Sequence, residues 1–336
     1  MATNLVLENP RAAWIFQEAV KARTPQLNFA RNIVFVQQHL HLSKQDTAES
    51  SASGLKIGLV GSSQTNLGVD SAQLSRQMNE AKVAKICLPG MVPLQYAALG
   101  RDIDAQNFDV VVCWLSEFDF FREQTLPTNR LRWCCDLANF QSLLSILSSK
   151  LIWKSRSDMA DLAVATQVGI WQQRELFQML AFRFWWRFDA ETTIASKEEI
   201  QIGARLGNRK QGITNARKNI ARTPLLETNF AAFRQFQKDV TVSGAQLIVL
   251  EGECHPDTMV AYDKTFRPET RGRLKTLAAD ERFLFVEADE RFDIKESDWS
   301  DAVHLNETGR SKLTSFLASF IKQQTSGHIS NLNLEN

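Results

Sequence analysis

No stretch of this 336-residue chain keeps apolar residues together for the roughly 18 positions a membrane-spanning helix needs. Its first residues lack a basic segment followed by an apolar run, so no secretory leader is expected. An excess of either charge is missing too. Against 39 basic residues stand 38 acidic ones, for a net charge of +1, so no global field draws the chain to nucleic acid. The five cysteines (Cys87, Cys113, Cys134, Cys135, Cys254) are odd in number, and Cys87 and Cys113 fall inside apolar runs, as reduced core thiols do. Gly58, Gly61 and Gly68 do not keep the spacing of a dinucleotide fingerprint, and no Gly-Lys-Ser/Thr phosphate loop occurs. Glu251, Glu253, Cys254 and His255 gather four potential metal ligands, but near neighbours on one turn rarely converge on one ion and no second cluster has ligand spacing. The expectation is a cytoplasmic protein without metal or cofactor.

What is present is a core. Hydrophobic residues make up 44% of the chain, enough for one large domain or two modest ones. Residues 11–42 have the spacing of two helices, and 43–54 form a polar linker, so 1–54 is a helical lead-in. Strands are then predicted at 55–60, 83–88 and 108–115, with helices near 70–81 and 93–101. The alternation resumes with helices at 228–243, 268–279 and 307–323 and strands at 245–250 and 283–287, leaving 324–336 as a tail. Strands separated by helices of this length predict an α/β three-layer sandwich with a flavodoxin-like, five-stranded parallel sheet. Ligands of such sheets bind at the carboxyl ends of the strands, where Ser63, Gly90, Ser116 and Glu251 all fall.

Two short motifs carry chemistry. Asp301-Ala302-Val303-His304 places a carboxylate three residues before an imidazole, so that it can hold Nδ1–H and leave Nε2 free to take a proton. Gly61-Ser62-Ser63 follows the first predicted strand, a turn on which a serine stands exposed above the sheet. Alone, an Asp-x-x-His pair is as well explained by a helix start or a surface pair. Together with the serine turn it fits acyl transfer.

With these residues the chain resembles the SGNH, or GDSL-like, hydrolases, specifically members with Gly-Ser-Ser in place of Gly-Asp-Ser. The resemblance covers 55–121 and 228–323. It implies that Ser63 is the nucleophile, His304 the base and Asp301 its orienting partner, and that Gly90, after the second strand, is the glycine of the second block. Backbone N–H groups of Ser63 and Gly90 would then receive the oxyanion. The third block departs from the family pattern of Gly-x-Asn-Asp, reading Leu115-Ser116-Glu117-Phe118-Asp119. Ser116 is the expected substitute for the missing asparagine donor, Glu117 is expected to face substrate hydroxyls, and Glu251 to line the cleft. The implied activity is serine-dependent hydrolysis of an O-acyl, chiefly O-acetyl, ester on a small molecule or carbohydrate. Two alternatives stay open: an O-acyltransferase of polysaccharide modification, against which the missing membrane anchor counts, and a catalytically silent binding protein of the same fold.

Residues 122–227 gain nothing from the resemblance and are predicted to be a helical, aromatic-rich insertion. Its segment 176–188 holds Trp185, Trp186 and several phenylalanines with Arg183 and Arg187. It suits either a helix packed over the sheet or one that meets a membrane surface or a protein partner. Residues 200–226 carry Arg205, Arg209, Lys210, Arg217, Lys218 and Arg222, a pattern of a solvated loop.

Overall fold

The computed structural model describes residues 54–88, 90–121, 125–168, 223–262, 266–281, 283–290 and 294–332. The helices expected over 11–42, the segment 176–188 and the basic stretch up to 222 lie outside them. The first half runs β1 (Lys56–Gly61), α1 (Ser63–Gly68), α2 (Ser71–Gln77), β2 (Lys82–Cys87), α3 (Pro93–Asp104), β3 (Val110–Leu115) and α4 (Glu117–Phe121). Four helices of the insertion follow: α5 (Thr128–Cys134), α6 (Leu137–Ile146), α7 (Ser149–Lys154) and α8 (Arg156–Gln167). The second half is α9 (Leu226–Val240), β4 (Gln246–Glu251), α10 (Pro256–Tyr262), α11 (Phe266–Glu281), β5 (Leu284–Val286) and α12 (Glu307–Leu332).

The five strands pair in the order β2-β1-β3-β4-β5, all parallel. A parallel sheet is covered on both faces, which is why β3, Val-Val-Val-Cys-Trp-Leu, is buried at every position instead of at alternate ones. Its side chains still alternate between two cores. Val111, Cys113 and Leu115 join the cluster under α3 and α9, with Tyr96, Phe233 and Phe236, while Val110, Val112 and Trp114 join the one under α2 and α12, with Leu74, Leu313 and Leu317. Fully burying one such side chain stabilises the fold by about 1.5–3 kcal/mol. The described insertion extends the first core: Leu131, Phe140, Leu143 and Leu162 belong to the same cluster.

The order in which strands are added reverses at β1, since β2 lies on one side of it and β3, β4 and β5 on the other. The loops leaving β1 and β3 therefore diverge and open a crevice, the position at which ligands of such sheets bind. Two predicted boundaries shift. The helix expected near 70–81 is α2, which ends at Gln77 and is preceded by α1, a separate helix over Ser63–Gly68 that the pattern did not predict, and the last helix runs nine residues past 323 into the expected tail. Among the described residues no helix is long and apolar enough to cross a membrane, and all five cysteines are buried and free.

Candidate active site

β1 ends at Gly61, and Ser62 turns the chain with φ −82° and ψ −168° to start α1. Its hydroxyl accepts from the N–H of Gln64 at 3.4 Å, a helix cap. A side chain at Gly61 would collide with Thr65, which folds back over the strand end and donates its hydroxyl to the carbonyl of Trp114. The tight turn therefore requires glycine, and it leaves Ser63 as the first residue of the helix, half-buried, its N–H without an intrahelical acceptor.

The second motif sits on a small closed loop. Trp299 and Leu305 form an antiparallel bridge, Ser300 N–H donates to the carbonyl of His304 at 2.9 Å, and Asn306 N–H to that of Asp298 at 2.8 Å. Leu305 is buried in the core, and Asn306 accepts from Gly309 N–H at 3.1 Å to cap α12. Thus the residues after His304 anchor the loop to sheet and helix. Within it, Asp301 Oδ1 accepts from the N–H groups of Val303 (2.9 Å) and His304 (2.8 Å).

Asp301 Oδ2 lies 2.8 Å from His304 Nδ1, and His304 Nε2 lies 2.9 Å from Ser63 Oγ. An ionised carboxylate can only accept, so Nδ1 carries the proton and Nε2 presents a lone pair to the serine hydroxyl. Burial works to raise the Asp301 pKa, but the hydrogen bond and charge of His304, with the two backbone N–H groups, outweigh it and hold the carboxyl below its ordinary range. The side chains of His304 and Asp301 remain 20% and 30% exposed, so the pair is reachable from solvent. Three residues expected to converge across 241 positions of chain do so.

Gly90 is placed where the second block was expected, beside the end of β2. Met91 N–H closes a turn onto the carbonyl of Leu88 at 3.0 Å, with Gly90 at φ +63°, a conformation that favours glycine. Arg130 of α5 donates to the Gly90 carbonyl at 3.0 Å, so the insertion braces this turn.

Three expectations are corrected. Ser116 is fully buried, and its hydroxyl lies 3.0 Å from Gln64 Oε1 and 3.2 Å from Asp119 Oδ2, so it points inward and is no oxyanion donor. Glu117 is buried beside Cys254, where its charge adds to burial in raising the thiol pKa, and so it does not face substrate hydroxyls. Glu251 does not line the cleft as a binding group. Its carboxylate takes two 2.8 Å bonds from Arg271, one of 2.8 Å from Ala288 N–H, and lies 3.4 Å from Arg267. The loop behind it does line a cavity of about 700 Å³, through Glu253, Cys254 and Pro256, with Arg267 and Trp299 opposite. His255, fully buried, accepts from Asp257 N–H at 3.2 Å through Nδ1, and its Nε2 lies 3.6 Å from Glu296.

Sequence reasoning missed Gln64. Its amide nitrogen donates to the carbonyls of Glu253 (3.0 Å) and Val303 (3.1 Å), and its oxygen faces the Ser116 hydroxyl. The available signal was its place directly after the serine; nothing in spacing reveals where a glutamine amide points.

No known protein family matches the chain, and no curated protein is recognisably similar to it.

Proposed function

We propose that this protein is a serine-dependent ester hydrolase or acyl transferase of the SGNH type. Ser63 Oγ attacks the ester carbonyl while its proton passes to His304 Nε2, and the resulting imidazolium returns that proton to the leaving alkoxide. A water or sugar hydroxyl then gives its proton to His304 and attacks the acyl-serine, and His304 returns that proton to Ser63 Oγ as the acyl–serine bond breaks, releasing the acyl group as acid or as a new ester. Asp301 holds the ring in the productive tautomer and stabilises the imidazolium. The N–H groups of Ser63 and Gly90 receive the oxyanion. The observation that carries the reading is the continuous relay from Asp301 through His304 to Ser63, at 2.8 and 2.9 Å.

A third oxyanion donor is not supplied by the buried Ser116. Losing one such donor lowers kcat by about 10²–10³-fold in a well-characterised protease. Slow turnover of simple activated esters is therefore expected, and an O-acetylated carbohydrate, the substrate class that the family resemblance suggests, would have to add binding energy of its own. The same inward-turned third block favours the second reading, a binding protein that has lost catalysis. A fluorophosphonate probe separates the two: the catalyst is labelled at Ser63 and the binder is not. Acetyl transfer to sugar hydroxyls, compared with release of acetate, then separates transferase from hydrolase.

A further inference from the structure

We infer that Gln64 is a positioning residue for the Ser63–His304 pair, an inference that rests on the proposed chemistry. Gln64 follows Ser63 directly, and Val303 precedes His304 directly, so the 3.1 Å bond from Gln64 Nε2 to the Val303 carbonyl runs alongside the 2.9 Å contact of Ser63 Oγ with His304 Nε2. It is a second tie between the two reacting residues, made through their chain neighbours. The amide's other donor binds the Glu253 carbonyl at 3.0 Å, and its oxygen faces the Ser116 hydroxyl at 3.0 Å. One side chain thereby fastens the loops after β1, β3 and β4 and the histidine loop at a single point. Two carbonyl acceptors fix which end of the amide is nitrogen. Gln64 is 4% exposed, so water does not compete for these bonds.

This arrangement also accounts for the third block. Ser116 has turned inward to take the amide oxygen, and Asp119, which accepts from Ser116 N–H at 2.8 Å, holds the serine there. The residue at the expected oxyanion position serves the serine–histidine distance instead. Without the amide donors the histidine loop keeps only the Ser63–His304 contact to α1, together with its own bridge and cap. The loop would persist with His304 less well placed, and a displacement of about 1 Å can cost about 10²-fold in rate.

Gln64→Met keeps side-chain length and removes both donors, and Gln64→Glu keeps shape and the acceptor while replacing the amide. In both, fluorophosphonate labelling of Ser63 should slow about 10²-fold with the half-saturating reagent concentration unchanged. The downfield proton NMR signal of His304 Nδ1–H, which needs no turnover, should broaden by exchange with water. Gln73 makes an amide bridge of the same kind from α2 to Ser311 and Ser315 of α12, with no bond to the relay residues or to the histidine loop. Gln73→Met should lower the melting temperature and leave labelling and the histidine signal alone. If either folded Gln64 variant labels at the wild-type rate with a sharp histidine signal, or behaves like Gln73→Met, the positioning role is overturned. A wild type that resists labelling would refute the chemistry, and the histidine signal would then decide the positioning role by itself.

Discussion

Asp301 and Glu251 stand on the same rim of the sheet, each a carboxylate held by several hydrogen bonds, and they differ in partner and exposure. Glu251 is all but sealed, its side chain 4% exposed and clamped by Arg271, whose guanidinium it holds protonated beyond its ordinary range. Asp301 keeps 30% of its side chain exposed and is bonded to an imidazole. A guanidinium does not release its proton in a protein, so Glu251 can only tie β4 to α11 and the β5 loop. An imidazole can accept and return one near neutral pH, so in the proposed chemistry the same kind of bond at Asp301 would orient a base. The partner's chemistry, more than the carboxylate's place in the fold, separates a structural acid from a chemical one.

The largest effect expected from breaking this contrast is at the serine. Ser63→Ala should lower p-nitrophenyl acetate hydrolysis to the background of buffer, by up to the order of 10⁶-fold where the relay acts as a unit. Asp301→Asn should come next, with a loss of about 10⁴-fold in kcat and little change in the melting curve, because the amide favours the wrong tautomer of His304. Glu251→Gln should show the reverse. Removing one partner of a buried pair costs about 3–5 kcal/mol, and the value should fall at the low end because Arg271 retains Asp289 at 2.9 Å. Urea unfolding would show that loss, while the folded fraction keeps its rate per molecule. Smallest is Ser62→Ala, which removes a cap worth about 1 kcal/mol and should leave most activity in place; equal loss of activity at Ser62 and Ser63 would reverse the assignment of the nucleophile.

Much of the frame was legible because burial writes itself into the strands. The run at β3 is continuously apolar and that at β1 is so from Ile57 on, as a doubly covered parallel sheet demands, and the helices at α3, α9 and α11 lie within a few residues of their predicted bounds. The short helices α4 and α10, of five and seven residues, have too few turns to show a period. Among the described side chains the last one that α12 adds to the core is Ile321, close to the predicted end at 323, although the backbone continues to Leu332. In the site, Asp301 and His304 were legible because their pairing is local and their chemistry depends on spacing. Ser116, Glu117 and Glu251 were placed on the right strand ends, but the direction of each side chain depends on partners elsewhere. Gln64 lies 52 residues from Ser116, and Arg271 lies 20 residues from Glu251. A polar residue at a strand end can face solvent or the interior, and only the assembled loops decide.

The central claim is that Ser63 is activated by a neutral His304 which Asp301 orients. Because the folded Asp301 pKa lies below its unfolded value, the stability it contributes is present above the unfolded carboxylate range and is lost only as pH falls through the still lower folded value. Between about pH 5 and 8 Asp301 therefore stays ionised. The direct measurement is the rate of fluorophosphonate labelling across that window, with the labelled residue located by peptide mass spectrometry. The account predicts a single labelled serine, Ser63, with a rate that falls as pH drops while the melting temperature shows no matching loss from Asp301. A flat rate profile, or label on Ser62 or elsewhere, would contradict it.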